Sequence, residues 1–111
     1  MDFLKVINEI TPVLTSHNVG DKRVLFSRLD ADTPITQIAK TSLSAGTNVN
    51  AHVHQTMDEH FIILKGKCII EVEGISNICE DNTYLYVPAK SNHQIKVIDD
   101  TDMITIGVAL D

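Results

Sequence analysis

From Lys22 onward, apolar and polar residues fall into short runs separated by turn-forming residues. The runs are Arg23–Leu29, Ile35–Leu43, Val49–His54, Glu59–Leu64, Lys67–Val72, Ile75–Cys79, Thr83–Val87, His93–Ile98 and Met103–Leu110. Between them lie Asp30–Pro34, Ala45–Asn48, Lys65–Gly66, Glu73–Gly74, Asp81–Asn82, Pro88–Asn92 and Asp99–Asp102. Many short β-prone runs at regular spacing predict an all-β sandwich or barrel. Ahead of them, Phe3, Leu4, Val6, Ile7 and Ile10 are spaced for a short helical turn over Asp2 to Ile10, which Pro12 stops. No repeat, low-complexity tract or linker divides the chain, so residues 1–111 read as one domain.

One pair of runs has a definite register. A two-residue turn at Glu73–Gly74 pairs Val72 with Ile75, Ile70 with Asn77 and Cys68 with Cys79. Cys68, Ile70, Val72, Ile75 and Cys79 then share a mostly apolar face, which is assigned to the interior. Glu71 and Ser76 take the other face. The cysteines read as small core residues that meet across the hairpin and stay reduced.

Composition narrows the function classes. A length of 111 residues suits one core, and 43% hydrophobic residues is too many for disorder. No apolar run approaches the roughly 18 residues that span a bilayer. The opening MDFLKVINEI has no leader-like apolar stretch with a cleavage site, which points to a cytoplasmic protein with free thiols. The net charge is −6, and Lys22–Arg23 is the one basic pair. Long-range repulsion therefore argues against nucleic acid or an anionic membrane as partner.

The chemistry concentrates in GTNVNAHVHQTMDEHFIILKG, Gly46 to Gly66. Side chains alternate along a strand, so His52 and His54 point the same way and two imidazoles can grip one metal ion. Glu59 leads a row with Phe61 and Ile63, and a carboxylate at the head of an inward apolar row needs a cation to offset its burial. Later, in NTYLYVPAKSNHQIKV, His93 heads a third inward row with Ile95 and Val97. His17 and His60 read as ordinary surface or partly packed residues.

These residues resemble the cupin superfamily. Gly46, His52, His54, Glu59 and Gly66 match the first cupin motif, G-x5-H-x-H-x4-E-x6-G, at every fixed position. The second, G-x5-P-x-G-x2-H-x3-N, is met at Pro88 and His93, with Asn82 and Lys90 in place of glycines and Val97 in place of Asn. Asn tolerates left-handed turns, whereas Lys90 is expected to reshape the loop beside the site.

The resemblance, centred on residues 35–98, implies a jelly-roll barrel, a double-stranded β-helix. It also implies one divalent metal on His52, His54, Glu59 and His93. Three imidazoles and a carboxylate suit Fe, Mn or Ni with open positions, or Zn with four ligands. Gln37, Thr41, Phe61 and Tyr86 are candidate lining residues, and Tyr84 or Tyr86 a candidate proton donor.

Fold alone does not give function. The expected role is to act on or bind a small molecule, such as a carbohydrate or small acid, by metal-dependent dioxygenase or isomerase chemistry. A non-catalytic binding or sensing module is the alternative. A metal-free sugar-nucleotide isomerase or epimerase ranks third, because only Arg23, Arg28, Lys40 and Lys90 could meet a diphosphate and the histidine spacing fits a metal better. A homodimer is expected, with the Met1–Leu29 segment, apolar at Val24, Leu25 and Phe26, packing across a two-fold axis.

Overall fold

The computed structural model describes residues 4–30 and 32–110. Seven antiparallel strands follow one 3-10 turn at Ile7–Glu9. They are β1 (Asp21–Ser27), β2 (Ile35–Leu43), β3 (Asn48–His52), β4 (Met57–Val72), β5 (Ile75–Glu80), β6 (Thr83–Val87) and β7 (His93–Ala109). The N-terminal helical turn is thus shorter than the apolar spacing predicted. Leu4 and Val6 are exposed, and only Ile7 and Ile10 are partly buried, so little apolar surface is covered to extend the turn. Asp2 and Phe3 of that predicted turn lie outside the described residues.

Two long strands organise the barrel. The sequence pattern predicts turns at Lys65–Gly66 and at Asp99–Asp102. Instead β4 and β7 each run straight through, side by side, from Met57↔Ala109 to Val72↔His93. Their register shifts between Ile63 and Cys68, which is where both strands bend. Gly66 is the reason that both can bend there. Its φ is +115°, and a Cβ on it would stand 2.6 Å from the Cα of Thr101. The first half of β4 pairs with β6 and the second half with β5. β7 likewise pairs with β2 through its second half and with β3 through its first. Each long strand therefore serves two layers, as expected of a jelly roll.

The core fills the space between those layers with Leu43, Val49, Phe61, Ile63, Cys68, Ile70, Cys79, Val87, Ile95, Val97 and Met103. The hairpin register at Glu73–Gly74 is as read from the sequence, with Cys68↔Cys79, Ile70↔Asn77 and Val72↔Ile75 in pairs. Both cysteines are buried and free. The hydrogen bond that Cys68 donates to Cys79, together with burial, raises the Cys68 thiol above its ordinary range. Ile75 departs from the expected interior face: beside the turn it runs past the end of the core and is 67% exposed.

The N-terminal segment continues the sheet. β1 pairs with β2, Val24 opposite Ala39, and forms the edge of the sheet. Before it, Val13 and Lys22 exchange backbone hydrogen bonds of 2.9 and 2.8 Å. This closes a loop whose tip, Thr15–Asn18, folds back over the barrel mouth.

Candidate metal centre

Each ligand candidate is carried by a different part of the frame. His52 ends β3, His54 follows in the loop, Glu59 lies early in β4 and His93 opens β7. The register brings them together, with His52↔His93 on neighbouring strands and Glu59 beside Gly107 on the second half of β7. Gly107 leaves that neighbouring position without a side chain. One ligand atom from each of the four residues lies within 4.8 Å of the other three. His93 is 2% exposed and heads the buried row Ile95 and Val97, as Glu59 heads Phe61 and Ile63.

Hydrogen bonds fix which nitrogen faces inward. Nδ1–H of His52 donates to the Asn50 carbonyl at 2.8 Å, and Nδ1–H of His93 to the Ser91 carbonyl at 3.0 Å. Both leave Nε2 for the centre, the outer-shell arrangement that orients imidazole ligands. Nε2 of His54 and of His93 approach the same carboxylate oxygen of Glu59, Oε1, at 3.0 and 3.1 Å. Three imidazoles and one carboxylate, converging from a half-buried position, form a donor set that fits a borderline divalent ion.

The ionisation states agree with this geometry. Burial by itself would push the Glu59 carboxyl up, but the His93 hydrogen bond and the neighbouring rings outweigh it and hold it below the usual range. Burial likewise works to lower His93, yet its bonds to Glu59 and the Ser91 carbonyl raise it above an ordinary histidine. Burial lowers His54, with the His52 and His93 charges adding to the effect against the pull of Glu59.

The sign of the pH dependence follows. In the apo chain, the Glu59 contribution to stability is lost as pH falls through its depressed pKa. That of His93 is present below the unfolded value of about 6.5 and is lost as pH rises through its raised pKa. A bound ion needs the His93 Nε2 lone pair, so binding must release that proton. Calorimetric titration with a divalent ion in two buffers of different ionisation enthalpy should therefore show about one proton or more released per ion at pH 6.5. Affinity should fall roughly tenfold per pH unit per proton below it.

The centre opens into a cavity of about 160 Å³. Gln37, Thr41 and Phe61 line it. Tyr86 does not. It pairs with His60 on the outer face, 45% exposed, because it is out of phase with the inward row of Glu59, Phe61 and Ile63. Tyr84 shares that outer face, and its hydroxyl lies 2.6 Å from Nδ1 of His60. Neither tyrosine is placed to pass a proton into the cavity, and His60 is partnered rather than an isolated surface residue.

His17 was the residue that sequence reasoning missed. The Thr15–Asn18 tip sets its ring 4.4 Å from that of His52 and on the cavity wall. Burial, then the His52 and His54 charges, lower its pKa. The Val13↔Lys22 bridge brings it there, a pairing between an irregular segment and an edge strand that no periodicity announces.

Lys90 keeps the loop shape that a glycine would give. Its φ is +70°, and its N–H donates 2.7 Å to the His54 carbonyl. Asn82 takes the same left-handed conformation, with φ +59°. A left-handed lysine costs about 1–2 kcal/mol, partly offset by the freedom a glycine gains on unfolding. Lys90→Gly should thus stabilise the chain by roughly 0.5–1 kcal/mol in urea denaturation, with metal content unchanged.

Comparison with known proteins places this geometry. A family model for the Cupin domain matches residues 40–108. A search of curated proteins gave no match. Among solved structures, a predicted oxalate decarboxylase from Thermotoga maritima superposes with TM-score 0.88 at 20% identity, covering 97% of this chain and 100% of that one. KdgF from Halomonas sp. gives 0.83 at 13% identity, covering 100% and 96%. Ectoine synthase from P. lautus gives 0.83 at 17% identity, covering 97% and 78%. At such identities the likeness is one of fold.

Proposed function

The chain belongs to the cupin family, and from that premise we propose that it is a metalloprotein acting on a small molecule in the barrel cavity. The observation that carries this reading is the convergence of His52, His54, Glu59 and His93, the first three of them on the wall of that cavity. Fe, Mn, Ni or Zn fits the donor set. When bound, such an ion supplies Lewis-acid polarisation or, if redox-active, oxygen chemistry. The chain's own residues position the reaction. Glu59 offsets the ion's charge, the Asn50 and Ser91 carbonyls fix two imidazoles, and Phe61 and Met103 line the cavity with apolar surface.

Size argues against a sugar nucleotide. Pockets for drug-sized ligands run from about 300 Å³ upward, and this cavity is about 160 Å³. The reading is tested on protein purified without chelators under anaerobic conditions. About one divalent ion per chain is expected, followed by oxygen uptake or isomer formation with one member of a panel of small diols, sugars and keto acids. An ion without turnover leaves the binding-module alternative, and no ion under metal-replete conditions overturns the proposal.

A homodimer is part of the same proposal, through the outer face of the sheet, to which Phe26 of the N-terminal segment contributes. The register sets Tyr84, Ile62 and Ile104 in one row across three strands. The next row is Tyr86, His60, Ile106, Ile38 and Phe26. The first row continues into Lys40 and Arg23, and the proposed two-fold axis falls on the apolar part of this face.

A further inference from the structure

We propose that Lys22 is an anion-recognition residue, so that the cavity selects a compact molecule with two oxyanion ends, one toward the metal centre and one toward Lys22. The inference rests on the metal reading above and adds the ligand's charge and shape. Lys22 stands opposite Thr41 in the β1–β2 register, and directly opposed residues share a face. Thr41 is 5% exposed and points into the cavity, so Lys22 is on the inner wall too. No other lysine or arginine lines that cavity among the described residues.

Of the neighbouring cations, Arg23 and Lys5 are engaged, and Lys40 lies opposite Arg23 on the outer face. Arg23 donates to the Asn8 and Ile10 carbonyls, and Lys5 donates to the Leu25 carbonyl at 2.6 Å. Lys22, half-buried, has no ion-pair or side-chain hydrogen-bond partner among the described residues, and the Thr41 hydroxyl, likewise without a side-chain partner, is not sealed away but opens on the cavity. An ammonium and a hydroxyl left without partners at one place on an inner wall suit an anion that satisfies both.

The two ends are well separated. Glu59 lies in the row of Gly107 and Gln37, whereas Lys22 lies in the row of Thr41, Met103 and Ile63. From Glu59 to Ile63 is about 13 Å along the strand, which the lysine's flexible stem shortens. The chain carries a net charge of −6, so an anionic ligand needs a local cation to enter. A lysine that merely extends its head to solvent would show no preference among ligands.

The test is calorimetric titration of the Mn(II)-loaded full chain with succinate, phosphoglycolate and the monoanion butyrate. At least one dianion should bind tenfold or more tightly than butyrate, which is about 1.4 kcal/mol. The tighter one identifies the distal group as carboxylate or phosphate. Lys22→Met should reduce the dianions to butyrate's affinity with metal content unchanged, while Lys22→Arg keeps the preference. Equal affinity for all three ligands in the parent chain overturns the inference, as does a preference that survives Lys22→Met. The parent comparison decides even if Lys22→Met fails to fold. Metal content is measured first in the same samples. A chain without an ion fails the proposed function, whereas a loaded chain with no dianion preference fails this inference alone.

Discussion

His93→Ala should yield a chain that holds no divalent ion after dialysis, with affinity down by on the order of 100-fold or more. Losing even an outer-shell partner of a metal ligand typically costs 10–100-fold, and this change removes a ligand itself. It also removes the Ser91 carbonyl contact that orients the ring, and half of the pair that Glu59 makes with His54 and His93. His93 is 2% exposed, so a cavity is left in the core and thermal stability falls as well. His52→Ala and His54→Ala should lose the ion to the same degree with a smaller stability cost, since both side chains are only half-buried. Glu59→Gln should weaken binding least, because water can take the place of a carboxylate oxygen while three imidazoles remain. Elemental analysis of each variant against the parent decides. A His93→Ala chain that retains one ion overturns the assignment of this ligand set.

Two of the ligand candidates were legible because each heads an alternating row, and His52 and His54 because their spacing puts both on one side. His93, Ile95 and Val97, and Glu59, Phe61 and Ile63, are inward in the structure as period-two alternation requires. The hairpin register was legible because two residues at a turn leave few alternatives. The long strands were not. Gly66 and the Asp99–Asp102 stretch carry the residues of turns, yet they form one shared bend, since the pairing of β4 with β7 overrides local preference. Tyr86 was misplaced because a strand written TYLYV has apolar character on both faces, so alternation cannot say which is inward. His17 and Lys22 were beyond reach for another reason. The backbone bridge between Val13 and Lys22 places His17, the β1–β2 register places Lys22 opposite Thr41, and neither pairing is announced by a side-chain pattern.

The alternation on β4 supplies the second large effect, a contrast between neighbours of identical chemistry. Ile63 is 0% exposed at the centre of the core, whereas Ile62 lies on the outer face between Tyr84 and Ile104. Ile63→Ala removes buried methyl groups and leaves a cavity that the rigid β4–β7 pairing cannot close. The expected cost is about 2–5 kcal/mol. At roughly 4 °C per kcal/mol for a chain of this size, the melting temperature falls by about 8–20 °C. Ile62→Ala empties no core position, so within one chain its cost stays near 1 kcal/mol or below. Its larger effect should fall on association. If the outer face joins two copies, Ile62→Ala, and more strongly Ile62→Lys, shifts the sedimentation profile from dimer toward monomer at micromolar concentration with metal content intact. Equal stability losses at the two positions would contradict the strand register. A parent chain that sediments as a monomer would contradict the dimer while leaving the register standing.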